Sequence, residues 1–171
     1  MDTAAATQRP GEGLAARAAG VAARSAGMGK TAQGFRSAAE FGDVLEATLE
    51  ALEADERVGP RLRATGFRLR LSCPDIAATL DLAAADGEQR YLRWSFGGDG
   101  ELQGGFELSM DSDVANGYLQ GAENLPIAIA RGRVRCHGET WSALRWLPVA
   151  RPICASYREV IAARHPHLLA R

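Results

Sequence analysis

The sequence predicts an α/β (α+β) fold: a two-layer sandwich in which a five-stranded, mostly antiparallel sheet is covered on one face by helices. Three observations carry this expectation. Five segments alternate apolar and polar residues with a period of two, as strands with one dry and one wet face do. The segment before them, and others after, place apolar residues at helical spacing. Alternation confined to one face suits a sheet roofed by helices on that face alone.

The bulk numbers agree with one globular domain and a tail. The chain has 171 residues, 46% apolar and 24% charged, which is the composition of a folded protein of ordinary size. A net charge of −1 argues against a nucleic-acid partner, which calls for a basic patch. Only Lys30 among the basic residues is a lysine, a bias that fits a GC-rich genome. Cys73, Cys136 and Cys154 are odd in number and far apart, so neither a zinc site nor a disulfide framework is expected, and no cofactor is implied. No run approaches the roughly 18 apolar residues that cross a bilayer. A soluble, cytoplasmic protein is the expectation.

Residues 1–36 read as a flexible tail rich in Ala, Gly and Arg, and 37–171 as the packed domain. The tail has little apolar surface with which to offset the entropy of ordering. Its SAGMGKT resembles a phosphate-binding loop, but the required glycine five residues before Gly29 is Arg24. Being basic and poor in acids, the tail suggests at most peripheral contact with an anionic membrane.

The elements follow in order. FGDVLEATLEALEADERV places Phe41, Val44, Leu45, Leu49 and Leu52 on one helical face, and Gly59-Pro60 is expected to close that helix. GFRLRLSC, ATLDLA, YLRWSF and GFELSM then alternate as four strands. DSDVANGYLQG reads as a short helix with Ser112 as its N-cap. NLPIAIARG reads as another, with Asn124 before it, Pro126 in its first turn and Gly132 at its exit. TWSALRWL and ICASYREVIAARH are expected to be two C-terminal helices divided around Pro148 and Pro152.

Between them, ARGRVRCHG supplies the fifth strand. Neighbouring strand residues point to opposite faces, so Val134 and Cys136 should face the helices while Arg133, Arg135 and His137 face water. Cys136 and His137 then cannot act as nucleophile and base, which requires a hydrogen bond between them. Cys136 is expected to be a small buried apolar residue.

From Phe106 to Gly138 the text FELSMDSDVANGYLQGAENLPIAIARGRVRCHG resembles the sterol carrier protein type 2 family. Met110 and Asp111 end the family's strand, and Val114, Tyr118 and Leu119 lie on its first short helix. Gly132, Val134 and Gly138 complete its G-x-(V/L)-x-x-x-G ending. The resemblance covers about Phe41 to Ile161. It implies a sandwich of a five-stranded sheet and several helices around an apolar tunnel that takes sterols, fatty acyl chains or other lipids. Similar bacterial domains stand alone, serve as accessory factors in isoprenoid quinone (ubiquinone) biosynthesis, or are fused to enzymes. The chain ends Leu169-Ala170-Arg171 and carries no peroxisomal tripeptide.

A lipid site needs an apolar concavity with few polar anchors. The expected lining is Trp94, Phe96, Phe106, Leu108 and Met110 from the sheet, Leu119, Ile127 and Ile129 from the short helices, and Val134 from the last strand. Trp141, Trp146, Ile153, Tyr157 and Ile161 would lid the opening. The same side chains would equally build a solid core, and periodicity does not distinguish a filled interior from a hollow one. The expected function is therefore non-catalytic binding or transfer of a hydrophobic small molecule or lipid. The alternative is an accessory or scaffold subunit of a biosynthetic complex, with a partner enzyme or a second copy of the chain as its contact.

Catalytic and metal chemistry find little support. His165 and His167 form an H-x-H with no acidic or cysteine partner nearby in sequence, and read as a terminal surface pair rather than metal ligands. Asp99, Asp111 and Asp113 fall in turns or at a helix start, where Asp is expected for local reasons. No Ser-His-Asp signature, dinucleotide loop or HExxH is present.

Overall fold

The computed structural model describes residues 32–87, 89–98, 105–138 and 140–170. Most of the expected tail, including SAGMGKT and its Lys30, lies outside these residues, as does Asp99. The end of that tail does not: Ala32 and Phe35 are buried, and the Phe35 ring meets Phe41 edge to face at 5.3 Å. The packed part of the chain thus includes Ala32 and Phe35, upstream of the boundary expected from composition.

Helix α1 (Ala38–Ala54) starts where the Ser37 hydroxyl accepts the Glu40 N–H, an ordinary N-cap. Its buried stripe runs through Phe41, Val44, Leu45, Leu49 and Leu52. It ends earlier than expected, at Asp55, whose carboxylate accepts the Arg57 and Val58 N–H groups. Gly59 and Pro60 instead open a separate short helix, α2 (Gly59–Ala64). Pro at a helix start sacrifices no intrahelical bond, and a Cβ at residue 59 would collide with the Tyr91 ring.

Five strands follow: β1 (Arg68–Cys73), β2 (Ala78–Ala84), β3 (Leu92–Phe96), β4 (Phe106–Met110) and, later, β5 (Val134–Gly138). Their order in the sheet is β3-β2-β1-β4-β5. Only the β1–β4 pairing is parallel; the other three are antiparallel. The register aligns every apolar set on one face. Leu71 stands between Leu80 and Leu108, and Leu69 between Leu82 and Phe106. The other face carries polar neighbours, with Arg70 opposite Asp81 and joined to it by two hydrogen bonds of 2.6 and 2.9 Å.

Between β4 and β5 lie helices α3 (Ser112–Leu119) and α4 (Leu125–Ala130). Ser112 is not the N-cap of α3; Asp111 holds that place without a side-chain bond. The work falls to Asp75, in a 3₁₀ turn, Pro74–Ile76, after β1, whose carboxylate accepts the Ser112 N–H at 3.0 Å and its hydroxyl at 2.6 Å. A negative group at a helix start also meets the positive end of the macrodipole. For α4, Asn124 does cap, accepting the Ile127 N–H. Gly132 takes φ 71° just beyond the C-cap residue Arg131, the left-handed exit glycine allows. Gly138 combines φ 109° with a β4 backbone so near that a Cβ would sit 2.9 Å from the Phe106 Cα.

The C-terminal region is one helix, α5 (Thr140–Arg164), rather than two. Pro148 and Pro152 lie inside it, each removing an intrahelical N–H. A buried stripe of Trp146, Val149, Ile153, Tyr157 and Ile161 continues across both prolines. Each such side chain stabilises by about 1.5–3 kcal/mol on burial, which together exceeds about 3 kcal/mol per interior proline. A 3₁₀ turn, Pro166–Leu168, follows and buries Leu168.

Candidate functional site

The apolar face of the sheet, α1, α3 and α5 converge on one enclosed cavity. Leu45, Thr48 and Leu49 reach it from α1, Leu69, Leu71, Leu80, Leu82 and Leu108 from the sheet, Tyr118 and Leu119 from α3, and Trp146 and Ile153 from α5. The polar groups on this wall have partners: the Thr48 hydroxyl donates to the Val44 carbonyl at 2.8 Å, and the Trp146 indole N–H donates to the Tyr118 hydroxyl at 2.7 Å. The space is thus dry, and its volume is about 20 Å³, enough for roughly one water. Ligand pockets are commonly about 300–1,000 Å³. Among the described residues, the space on this wall is thus far smaller than such a pocket.

The expected lining residues fall into distinct groups. Leu108, Leu119 and Ile153 face the cavity, as does Trp146. Phe106, Met110, Val134 and Ile161 are buried but belong to the surrounding core; the Phe106 ring packs on Trp146 at 6.2 Å. Tyr157 is fully buried, yet its hydroxyl points into a polar network and not toward a ligand space, donating to Asn116 Oδ1 at 2.7 Å. Burial pushes its pKa far up. Trp94 is half-buried at the β3 edge with the Arg90 guanidinium 4.7 Å above its ring. Phe96 is exposed, touching Phe41 edge to face at 6.4 Å.

Two further expectations fail for a geometric reason. Ile127 is 47% and Ile129 40% exposed, because Ala128 between them is the residue that α4 turns inward. Helical neighbours are about 100° apart, so both isoleucines are swung aside. Cys136 pairs with Leu108 and faces the helix side as expected, but it is exposed, not buried. It lies on an edge strand, beyond the reach of the helices that cover Leu108. The Trp141 side chain lies outside the described residues.

Sequence reasoning omitted Leu45, Leu49, Leu69, Leu71, Leu80, Leu82 and Tyr118 from the wall, although the periods of α1 and of β1 and β2 place the leucines on the inward faces. Only the crossing of the helices over the sheet shows which inward residues meet.

No poised nucleophile appears among the described thiols. Burial, with Asp75, Asp111 and Asp113 nearby, pushes the Cys73 pKa up to about 12. Burial raises Cys136 and Cys154 as well, which leaves them as thiols rather than thiolates at neutral pH. Cys136 and His137 do point to opposite faces, their partners being Leu108 and Glu107.

Asn116 anchors the opposite end of α3. Its amide donates to the Gln33 and Leu168 carbonyls, and its carbonyl accepts from Gln120 and Tyr157. All four of its hydrogen-bonding positions are thereby used, which ties the segment before α1, α3, α5 and the C-terminus together. A groove of about 710 Å³ also opens at the β2–β3 connection, between Asp86, Arg90 and Arg93 among others. No helix of the described residues is long and apolar enough to cross a membrane.

Comparison with known proteins adds the fold. No protein-family model and no curated protein matches the sequence. Among solved structures the chain is similar to a conserved hypothetical protein, possibly a sterol carrier protein, from Thermus thermophilus, with a TM-score of 0.50 and 20% identity over 69% of this chain and 86% of that one. It is similar also to sterol carrier protein 2, with a TM-score of 0.47 and 20% identity over 68% of this chain and 95% of that one. A stereoselective inverting sec-alkylsulfatase from Pseudomonas sp. matches 52% of this chain at a TM-score of 0.43 and 15% identity, and the chain spans only 13% of that enzyme's length.

Proposed function

From the sterol carrier protein 2 fold that this chain adopts, we propose that the domain binds the apolar part of a lipid between its sheet and helices, without catalysing a reaction. The observation that carries this reading is the convergence of the sheet's apolar face and three helices on one dry cavity with the Tyr118 hydroxyl on its wall. That hydroxyl would anchor the polar end of the ligand. Because the cavity is small, binding requires α5 to move off the sheet. The part of α5 ahead of Pro148 is suited to this, since the missing N–H groups at Pro148 and Pro152 weaken its connection to the rest.

The cost of opening and the gain from ligand burial are of the same order, since moving α5 also exposes Trp146 and its neighbours. Displacing Trp146 sacrifices its bond to Tyr118 and its aromatic contacts with Phe67 and Phe106, each worth about 0.5–1.5 kcal/mol. An acyl chain burying about ten methylenes gains roughly 8 kcal/mol before association costs. Native mass spectrometry of the purified protein, followed by titration with fluorescent acyl, sterol and isoprenoid probes, tests the reading. Saturable binding that Leu119→Trp abolishes is expected. Failure of a folded protein to bind any of the three would overturn it.

The small size of this cavity among the described residues favours a second reading, in which the fold serves as an accessory subunit with a solid core. Its exposed Phe96, Ile127 and Ile129 would then contact a partner enzyme. In that case the Leu119→Trp protein keeps its cellular role, whereas under the first reading it loses it.

A further inference from the structure

Glu40 lies in the first turn of α1, far upstream of His165 and His167, yet the fold brings all three together. His167 Nε2 is 2.8 Å and His165 Nδ1 3.8 Å from the same carboxylate oxygen, Glu40 Oε1. The three potential ligand atoms all lie within 4.8 Å of one another. The His167 Nε2 atom is inaccessible to solvent and, despite its closeness to Oε1, makes no hydrogen bond of acceptable geometry. An inaccessible ring nitrogen aimed at a carboxylate but not bonded to it leaves its lone pair or proton unsatisfied, an arrangement that folded proteins avoid.

We propose that Glu40, His165 and His167 form a binding site for one zinc-type divalent cation, with solvent as its remaining ligand. Two imidazoles and one carboxylate are a donor set that suits zinc. Zinc bonds of about 2.0–2.2 Å set tetrahedral ligand atoms about 3.3–3.6 Å apart. The observed 2.8 and 3.8 Å separations straddle that spacing, and no pair of the three exceeds 4.8 Å, so side-chain rotations that move the ligand atoms by about an ångström suffice to admit an ion. The other carboxylate oxygen, Oε2, accepts the Arg36 backbone N–H at 2.7 Å. That bond orients the carboxylate and leaves Oε1 free, as outer contacts of metal ligands commonly do. The three side chains retain 13–25% of their exposure, which gives the ion an entry and a place for water. Its effect on the fold is to clamp the segment after α5 to the start of α1.

The test uses the full chain stripped of metal with a chelator. Titration with Zn²⁺ against a chromogenic chelator should show one equivalent bound and a rise in the thermal midpoint. His165→Ala and His167→Ala should each weaken the affinity by about tenfold or more, with circular dichroism confirming that both remain folded. Cys136→Ser/Cys154→Ser should bind as the parent does. Co²⁺ in place of Zn²⁺ should give the visible bands of a four-coordinate nitrogen and oxygen site. Absence of stoichiometric uptake overturns the proposal in favour of a plain histidine–glutamate ion pair. Uptake that survives loss of both histidines but not of the cysteines overturns it too.

Discussion

The central strands and the edge strands turn apolar side chains to the same face of one sheet, but the central ones are covered along their length and the edge ones only in part. Leu69 and Leu71 on β1 and Phe106 and Leu108 on β4 are at most 4% exposed. At the edges, β3 runs from buried Leu92 through half-buried Trp94 to exposed Phe96, and β5 from buried Val134 to exposed Cys136. Helices α1 and α5 cross the central strands, while α2 and α4 reach only one end of each edge strand. Apolar character therefore says which way a strand residue faces, and the helices decide whether facing that way means burial.

This contrast can be broken or sharpened by experiment. The largest effect should come from Leu108→Ala, which enlarges an existing cavity where the packing cannot collapse. A loss of about 2–5 kcal/mol in denaturant unfolding is expected. A loss below about 1 kcal/mol would mean that the centre is as loosely packed as the edge.

Next comes alkaline stability, to which Cys73 and Tyr118 contribute alongside the buried Tyr157. Burial raises the first two, from 9.0 and 10.0 respectively to about 12. A group whose folded pKa lies above its unfolded value contributes stability that is complete below the unfolded value. The protein should thus lose stability as pH rises from about 9 toward about 12, and Cys73→Ala should flatten the Cys73 part of that slope. In the same samples, a thiol reagent at neutral pH should label exposed Cys136 promptly and buried Cys73 only on unfolding. Equal labelling rates would erase the distinction between centre and edge.

The smallest effects belong to the margin. Phe96→Ala should cost below about 1 kcal/mol, because the ring is already 36% exposed. Cys136→Ser should fall within about 0.5 kcal/mol of the parent. A larger loss at either position would show that something covers this edge in solution.

How far the fold was legible varies with the range of the forces involved. The stripe of α1, the alternation of all five strands, the Asn124 cap and the Gly132 exit depend on residues within a few positions of each other, and all are present. The split of α5 was expected because a proline penalty is local. The buried stripe from Trp146 to Ile161, which outweighs that penalty, acts only through packing on the rest of the domain. Likewise, Ser112 looked like a cap because nothing nearby revealed that Asp75 would fold back onto it. Ile127 and Ile129 looked like wall residues until Ala128 proved to be the side chain facing inward.

The candidate sites divide the same way. Which strand faces are apolar follows from period two alone, so the inward leucines were readable. The size of the space they enclose depends on how closely α1 and α5 settle on the sheet, which no periodicity encodes. The meeting of Glu40 with His165 and His167 required the C-terminal segment to return to the start of α1.

By itself, then, the sequence determined the strands, most of the helices and their wet and dry faces, because these follow from the helical and extended repeats and from caps and turns within reach of a few residues. The tertiary structure alone decided how much space the described wall encloses, how far each sheet margin is covered and the histidine–carboxylate cluster. Each of these is a distance between segments remote in the chain, and such distances are set by the packing of the whole domain.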